Sequence, residues 1–212
     1  YLANPDHDNS EGLPPLTKLS EELGISISAL REQLEVARAL GLVDVKPRTG
    51  TKRLAYTFTP AVRQSLSYAL ALNPEHFDLF ADLRKHIELA YWHEAVEKLT
   101  EADRQDLRNL VERAWQKLEG TPVQIPHIEH RQLHLRIYCR LGNPFVSGIL
   151  EAYWEAYEAI GLNVYTEYSY LQQVWRYHQS MVDSIWDGDY EAGYRALREH
   201  TDLIYHRPPT KT

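Results

Sequence analysis

"HQSMVDSIWDGDYEAGYRALREH", residues 178–200, opens and closes on histidine and carries an Asp187-Gly188-Asp189 turn near its middle. Helical periodicity runs on both sides of that turn, so the stretch reads as an antiparallel helical hairpin. His178 lies eleven residues before position 189 and His200 eleven after it. In such a hairpin, residues equidistant from the turn come side by side. At a rise of about 1.5 Å per residue, each imidazole stands roughly 16 Å from the turn.

"HRQLH" (130–134) supplies a second pair. Residues four apart share one helix face, so His130 and His134 can reach the same ligand. If the hairpin packs against this helix, His130, His134, His178 and His200 converge inside a bundle, where metal sites are commonly built. Imidazole nitrogen suits zinc, nickel, copper or iron rather than calcium or magnesium. The competing reading is a pair of surface histidines with no ligand role. His7, His76, His86, His93, His127 and His206 have no comparable geometry, although His86 and His93 sit mid-helix and are the first exceptions to consider.

Helical periodicity also covers 75–98, 101–118, 124–142 and 144–160, then 164–186 and 189–204 around the opening turn. Thr100 starts a "TEAD" cap, and "GTP" (120–122), "GNP" (142–144) and "GLN" (161–163) punctuate the rest. Six helices joined by brief loops predict an antiparallel all-α bundle. Tyr153, Trp154, Tyr157, Tyr165, Tyr168, Tyr170, Trp175 and Tyr177 cluster before and around His178. Core packing is the plain reading of these rings. Tyr177 is the candidate to offer a hydroxyl to a bound ligand.

Before residue 69 the pattern changes. Leu16, Leu19 and Leu23 have helical spacing and end at Gly24. Ser26 or Ser28 then caps a second helix running to about Leu40, with Leu30, Leu34 and Ala37 on its buried face. "LVDVKP" and "RLAYTFT", separated by "RTGTK", predict a β-hairpin with Gly50 near its tip. Helix, tight turn, helix and hairpin follow the order of a winged helix-turn-helix. Tyr1 and Leu2 read as the tail of a first helix begun upstream, because the sequence opens on Tyr rather than Met.

The net charge of −7 argues against a general nucleic-acid binder. The excess acid lies in the bundle, however. Residues 45–63 hold Lys46, Arg48, Lys52, Arg53 and Arg63 with no acidic side chain. A recognition helix in the major groove would present Ser26, Ser28 and Arg31, the arginine able to grip guanine O6 and N7. The wing would bring Lys46, Arg48, Thr49, Gly50, Thr51 and Lys52 to the DNA backbone or minor groove. The alternative is a hairpin that only stabilises a small domain, with Arg31 a solvated surface residue.

No apolar run approaches the roughly 20 residues that span a bilayer. Cys139 is the only cysteine, which excludes an intrachain disulfide and fits a reducing, cytoplasmic setting. Its expected role is that of a small core residue.

The whole chain resembles a bacterial GntR-type transcriptional regulator of the FadR branch, with a C-terminal FCD ligand-binding domain. "LPPLTKLSEELGISISALREQLEVARALGLVDVKPRTGT" (13–51) is similar to that family's DNA-binding segment. "LRKHIE" (83–88) resembles the arginine- and glutamate-bearing first helix of the FCD domain, and "LGNPF" (141–145) its "sgNp" element. "HRQLH" falls on its "DxxFH" segment, and the 178–200 hairpin agrees in histidine spacing and in its Gly-Asp turn.

The resemblance implies a homodimer, repressor or activator, on a palindromic double-stranded operator, with binding altered by a small organic acid. It also implies a divalent metal held by one Asp and three His. His134, His178 and His200 match the histidines, while His130 stands where the family has aspartate. Exchanging Asp for a neutral imidazole raises the site's charge by one, favouring zinc or nickel and an anionic ligand. Arg84 matches the arginine that faces the effector, and its competing role is a surface salt bridge with Glu88. Arg31 matches the family arginine of the recognition helix. Thr17, placed with the DNA-binding residues, and Ile27 stand where arginine is common.

These readings divide the chain into a winged helix at 1–68, a linker at 69–78 and an effector bundle at 79–212. The fold class is mainly α. Two other functions stay open at this point. One is a metallohydrolase, for which the base nearest in sequence, Glu129, points about 100° away from His130 and no HExxH motif exists. The other is a protein-interaction module with a structural metal.

Overall fold

Helix α1 (Leu16–Leu23) ends at Gly24, whose φ of 66° lies in the left-handed region that glycine enters without steric cost. Helix α2 (Ile27–Ala39) begins at Ser26, whose hydroxyl accepts the Ala29 N–H at 3.2 Å. Leu19 and Leu30 are buried where the two helices meet. The computed structural model that gives these elements describes residues 1–4, 12–46, 50–161 and 167–203.

The hairpin forms, with its second strand earlier than the sequence suggests. Strand β1 (Val43–Lys46) pairs antiparallel with β2 (Gly50–Arg53), Val43 opposite Arg53 and Lys46 opposite Gly50. The pairing uses residues assigned above to the turn, and "RLAYTFT" contributes only Arg53. A short connection admits only the residues directly across from β1 as partners. The Leu13 N–H donates to the Thr51 carbonyl at 2.7 Å, tying the entry to α1 onto the wing.

Helix α3 (Thr59–Leu72) runs through the point where the sequence reading ends the first domain. Pro60 in its first turn has the φ a helix start requires. The expected linker at 69–78 thus holds the last turn of α3, a break at 73–75 and the start of α4. Leu66 buries one face of α3 with Phe77, Ala81, Tyr153, Trp154 and Ala156, a small core shared with the bundle.

The bundle comprises α4 (His76–Glu97), α5 (Glu101–Glu119), α6 (His127–Ile137), α7 (Pro144–Ala159), α8 (Tyr168–Asp187) and α9 (Tyr190–Asp202). Its elements match the six expected helices, with α6 starting late because Pro126 occupies its N-cap. The α8–α9 hairpin turns at Gly188, φ 78°. Helix α9 lies on α4, α8 on α5, and α5 on α6. Trp92, Leu107, Leu118, Leu133, Ile137, Met181, Ile185 and Leu197 form a fully buried main core. Among the described residues no helix is long and apolar enough to cross a membrane. Cys139 is exposed rather than in the core. It falls outside the buried face of α6 that Leu133, His134 and Ile137 define.

Two details fix the helices that carry the histidines. Trp92 on α4 donates its indole N–H to the Tyr190 carbonyl at 2.9 Å. A Cβ on Gly193 would stand 2.6 Å from Trp92 Cζ2, so only glycine lets α9 settle on α4. Asp103, in the capping box of α5, accepts the Thr100 N–H at 3.0 Å and the Arg140 Nε–H at 2.8 Å. Hydrogen bonding from Arg140 holds its carboxyl well below the usual carboxylate range, against the opposing effect of burial.

Gly193→Ala is expected to cost about 1–3 kcal/mol by overpacking against Trp92, read as a lower urea midpoint. An unchanged midpoint would contradict the tight crossing. Asp103→Asn tests the second detail. Because the folded-state pKa is depressed, the Asp103 contribution is complete above the unfolded value of about 3.9 and disappears as pH falls through the folded one. Wild type should exceed Asp103→Asn in stability at pH 7, and the gap should narrow below about pH 4.

Candidate metal centre

His130 and His134 lie one turn apart on α6, His178 on α8 and His200 on α9. Each offers a ring nitrogen, and these four atoms all lie within 4.8 Å of one another. The ring centroids of His178 and His200 are 4.3 Å apart, and those of His130 and His178 are 4.6 Å apart. The hairpin symmetry and the i, i+4 pair therefore meet as the sequence suggests. His134, His178 and His200 are buried. His130 is half-exposed as a residue, but its Nε2 is sealed from solvent.

The chemistry of the donor set fits a metal ion. Burial holds all four imidazoles well below their ordinary pKa, Arg84 pushes each in the same direction, and neighbouring histidines add to this at His130, His178 and His200. They are neutral at pH 7, with lone pairs free for ligation. Four buried nitrogens have no hydrogen-bond partner: His130 Nε2, His178 Nδ1 and both nitrogens of His200. Buried polar atoms are seldom left unpaired without a reason. The Nε2 atoms of His134 and His178 are 3.1 Å apart. Two nitrogens bound about 2.0–2.1 Å from one tetrahedral ion stand at a similar separation, about 3.3 Å.

Arg84 and Glu88, from α4, close the site on one side. Both are buried, with Nη2 of Arg84 2.9 Å from Oε2 of Glu88. The competing role raised for Arg84, a salt bridge with Glu88, forms, but buried rather than on the surface. The Arg84 guanidinium lies 4.5 Å from the centre of the Tyr153 ring and 5.4 Å from that of Trp154. Burial pushes the Glu88 carboxyl up, and Arg84 beside it pulls it back down. Arg84 Nε and Trp154 Nε1 are buried donors with no partner.

Trp154 and Trp175 pack edge-on to His130, at 4.6 and 6.2 Å. Tyr177 instead packs, half-buried, against the main core. Its neighbour His178 is the one buried on the inward face of α8. Glu88 is the residue sequence reasoning undervalued, and its signal was the i, i+4 spacing from Arg84. Glu129, the base nearest in sequence, ion-pairs with Lys117 at 2.8 Å.

At the other end of the molecule Thr17, Ser28, Arg31, Lys46, Gly50 and Lys52 are exposed and Thr51 half-exposed, on α1, α2 and the two strands. Ser26 is exposed and spends its hydroxyl acceptor on the α2 cap. Lys46 pairs with Asp44 at 3.3 Å, and Arg63 turns to Glu155 of α7 at 3.6 Å. Arg48 and Thr49 lie outside the described residues.

Comparison with known proteins agrees with this architecture. The FCD domain family matches residues 79–203. The HTH-type transcriptional regulator LutR of Bacillus subtilis (strain 168) is 32% identical over 102 residues, 48% of this chain and 46% of that protein. The chain thus aligns with less than half of the length of that curated relative. The solved Streptococcus agalactiae GntR structure superposes with a TM-score of 0.69 at 16% identity, over 92% of this chain and 88% of that one. E. coli McbR/YncC gives 0.50 at 22% identity, over 90% and 84%. At these identities the two structures speak for the fold. LutR is by name an HTH-type transcriptional regulator. With residues 79–203 of its helical half matched by the FCD model, the chain belongs to the FCD-domain family.

Proposed function

We propose that the protein is a ligand-responsive regulator that binds operator DNA as a homodimer in the cytoplasm and is controlled by a small carboxylate at a divalent-metal site. The observation that carries this reading is the convergence of four imidazoles, three of them buried and the fourth half-buried, whose ligand atoms lie within 4.8 Å of one another. His130, His134, His178 and His200 would hold the ion, and an all-imidazole set favours zinc, with nickel the alternative. When bound, the ion would supply positive charge with no carboxylate ligand to offset it, and an anion would reach it as a fifth ligand or in exchange for one imidazole. Arg84 Nε and Trp154 Nε1 are the unpartnered donors nearest to receive that anion.

Helix α7 is the physical link to DNA. Tyr153 and Trp154 on α7 touch Arg84 and His130. One turn away, Glu151 accepts a hydrogen bond from Thr59 at the start of α3, and Phe145 packs against Phe58 at 5.3 Å. Helix α3 follows directly from the wing. A ligand that prefers one placement of α7 over another therefore biases the placement of the winged helices, which is a population shift.

Elemental analysis of the purified chain should find about one zinc or nickel ion per chain, given a four-imidazole site. His134→Ala should remove most of it, and full metal content in that variant would overturn the ligand set. In gel-shift titrations on genomic fragments, a sequence-specific complex should form at physiological salt and weaken steeply as salt rises. Arg31→Ala should cost about 1–3 kcal/mol at its base pair. Small carboxylic acids should change the affinity of metal-loaded protein only. Absence of any specific complex would refute the DNA reading.

A further inference from the structure

His134 Nδ1 stands between two groups of opposite character. It lies 3.0 Å from Glu88 Oε1 and 2.9 Å from Arg84 Nη2. A carboxylate only accepts hydrogen bonds and a guanidinium only donates them. Nδ1 therefore serves one of the two at a time, protonated toward Glu88 or with its lone pair toward Arg84. The choice determines the opposite edge of the ring. A proton on Nδ1 leaves a lone pair on Nε2, which faces His178 Nε2 at 3.1 Å. In the other tautomer Nε2 carries the proton, donates it to His178, and cannot ligate.

The geometry favours Glu88. Its Oε1 can take the His134 N–H while Oε2, 2.9 Å from Arg84 Nη2, keeps the guanidinium in an ion pair without a hydrogen bond between them. Arg84 thus keeps a charged partner when it gives up Nδ1, and its guanidinium stays stacked 4.5 Å from the Tyr153 ring. The Tyr138 hydroxyl donates to the Glu88 backbone carbonyl at 2.9 Å and fixes this part of α4 beside α6. We infer that Glu88 is a positioning residue that selects the Nδ1–H tautomer of His134, with Arg84 as its competitor, and so sets the affinity of the four-histidine site for a divalent cation. The inference rests on the metal reading above and adds to it a determinant outside the ligand set. Residues that orient metal-bound histidines in this way typically change metal affinity by about 10–100-fold when replaced.

Because lone removal of Glu88 would strand a buried guanidinium, the test replaces both partners at once. Arg84→Met/Glu88→Met removes donor and acceptor with no change in net charge, and apolar replacement of a buried ion pair is commonly tolerated. Arg84→Met/Glu88→Gln has the same charge and restores an acceptor oxygen. Zn²⁺ affinity of the full chain is measured by competition with a chromophoric chelator, with folding verified by thermal melts. The Met/Met variant should bind Zn²⁺ about 10–100-fold more weakly than wild type, and Met/Gln should recover most of that loss. Metal-free wild type should show His134 protonated at Nδ1 by 15N NMR, and Met/Met protonated at Nε2. Equal Zn²⁺ affinity in wild type and Met/Met, or no recovery in Met/Gln, would overturn the inference and leave the metal site standing. Failure of wild type to bind Zn²⁺ or Ni²⁺ would overturn the metal reading itself. The tautomer in the metal-free protein would then still decide what Glu88 does, Nε2–H counting against it.

Discussion

Neutral imidazole nitrogens held in an apolar interior with no hydrogen-bond partner are the constraint on which the rest of this structure depends. Each such atom costs on the order of 1–3 kcal/mol relative to a satisfied one. Three of the four clustered histidines carry such an atom, and one cation can satisfy one from each. That arrangement requires α6, α8 and α9 to hold their relative heights closely. The Gly188 turn sets the height of α9 against α8, and the close contact of Gly193 with Trp92 sets its depth on α4.

Helix α7 is loaded differently on its two sides. Tyr153 and Trp154 belong to the ring of aromatics around Arg84 and the histidines, whereas Phe145, Gly148 and Glu151 receive the start of α3. A Cβ on Gly148 would sit 2.8 Å from the Thr59 backbone nitrogen, so the two segments meet backbone to side-chain stub with no intervening atoms. A contact that close transmits displacement rather than absorbing it, because packed interiors deform little.

Most of the bundle and all four histidines were legible because helical period and turn position are local properties. Eleven residues on either side of Asp189 suffice to align His178 with His200, and four residues suffice to align His130 with His134. Three things were less legible. The strand register depended on how few residues connect β1 to β2. Helix α3 depended on the Thr59-Pro60 start and on a partner, α7, almost a hundred residues away. The burial of Arg84 with Glu88 depended on which face of α4 turned inward, and a long helix with apolar residues on more than one side does not announce that face. Tyr177 packs half-buried against the main core. It adjoins His178 in sequence and therefore points about 100° away on the helix.

The small core that Leu66 shares with Phe77, Tyr153 and Trp154 changes where the chain is modular. By packing, α3 belongs with the effector bundle, although by sequence it follows the wing. The natural joint is therefore the extended stretch between Arg53 and Phe58, ahead of α3, rather than the break after Leu72. A chimera that grafts another winged helix onto this bundle keeps its helix–helix seam only if the splice falls before Tyr56, whose ring already rests 6.2 Å from Phe145. Spliced after Leu72, the same chimera would present α7 with a foreign surface where Gly148 leaves room for one particular backbone.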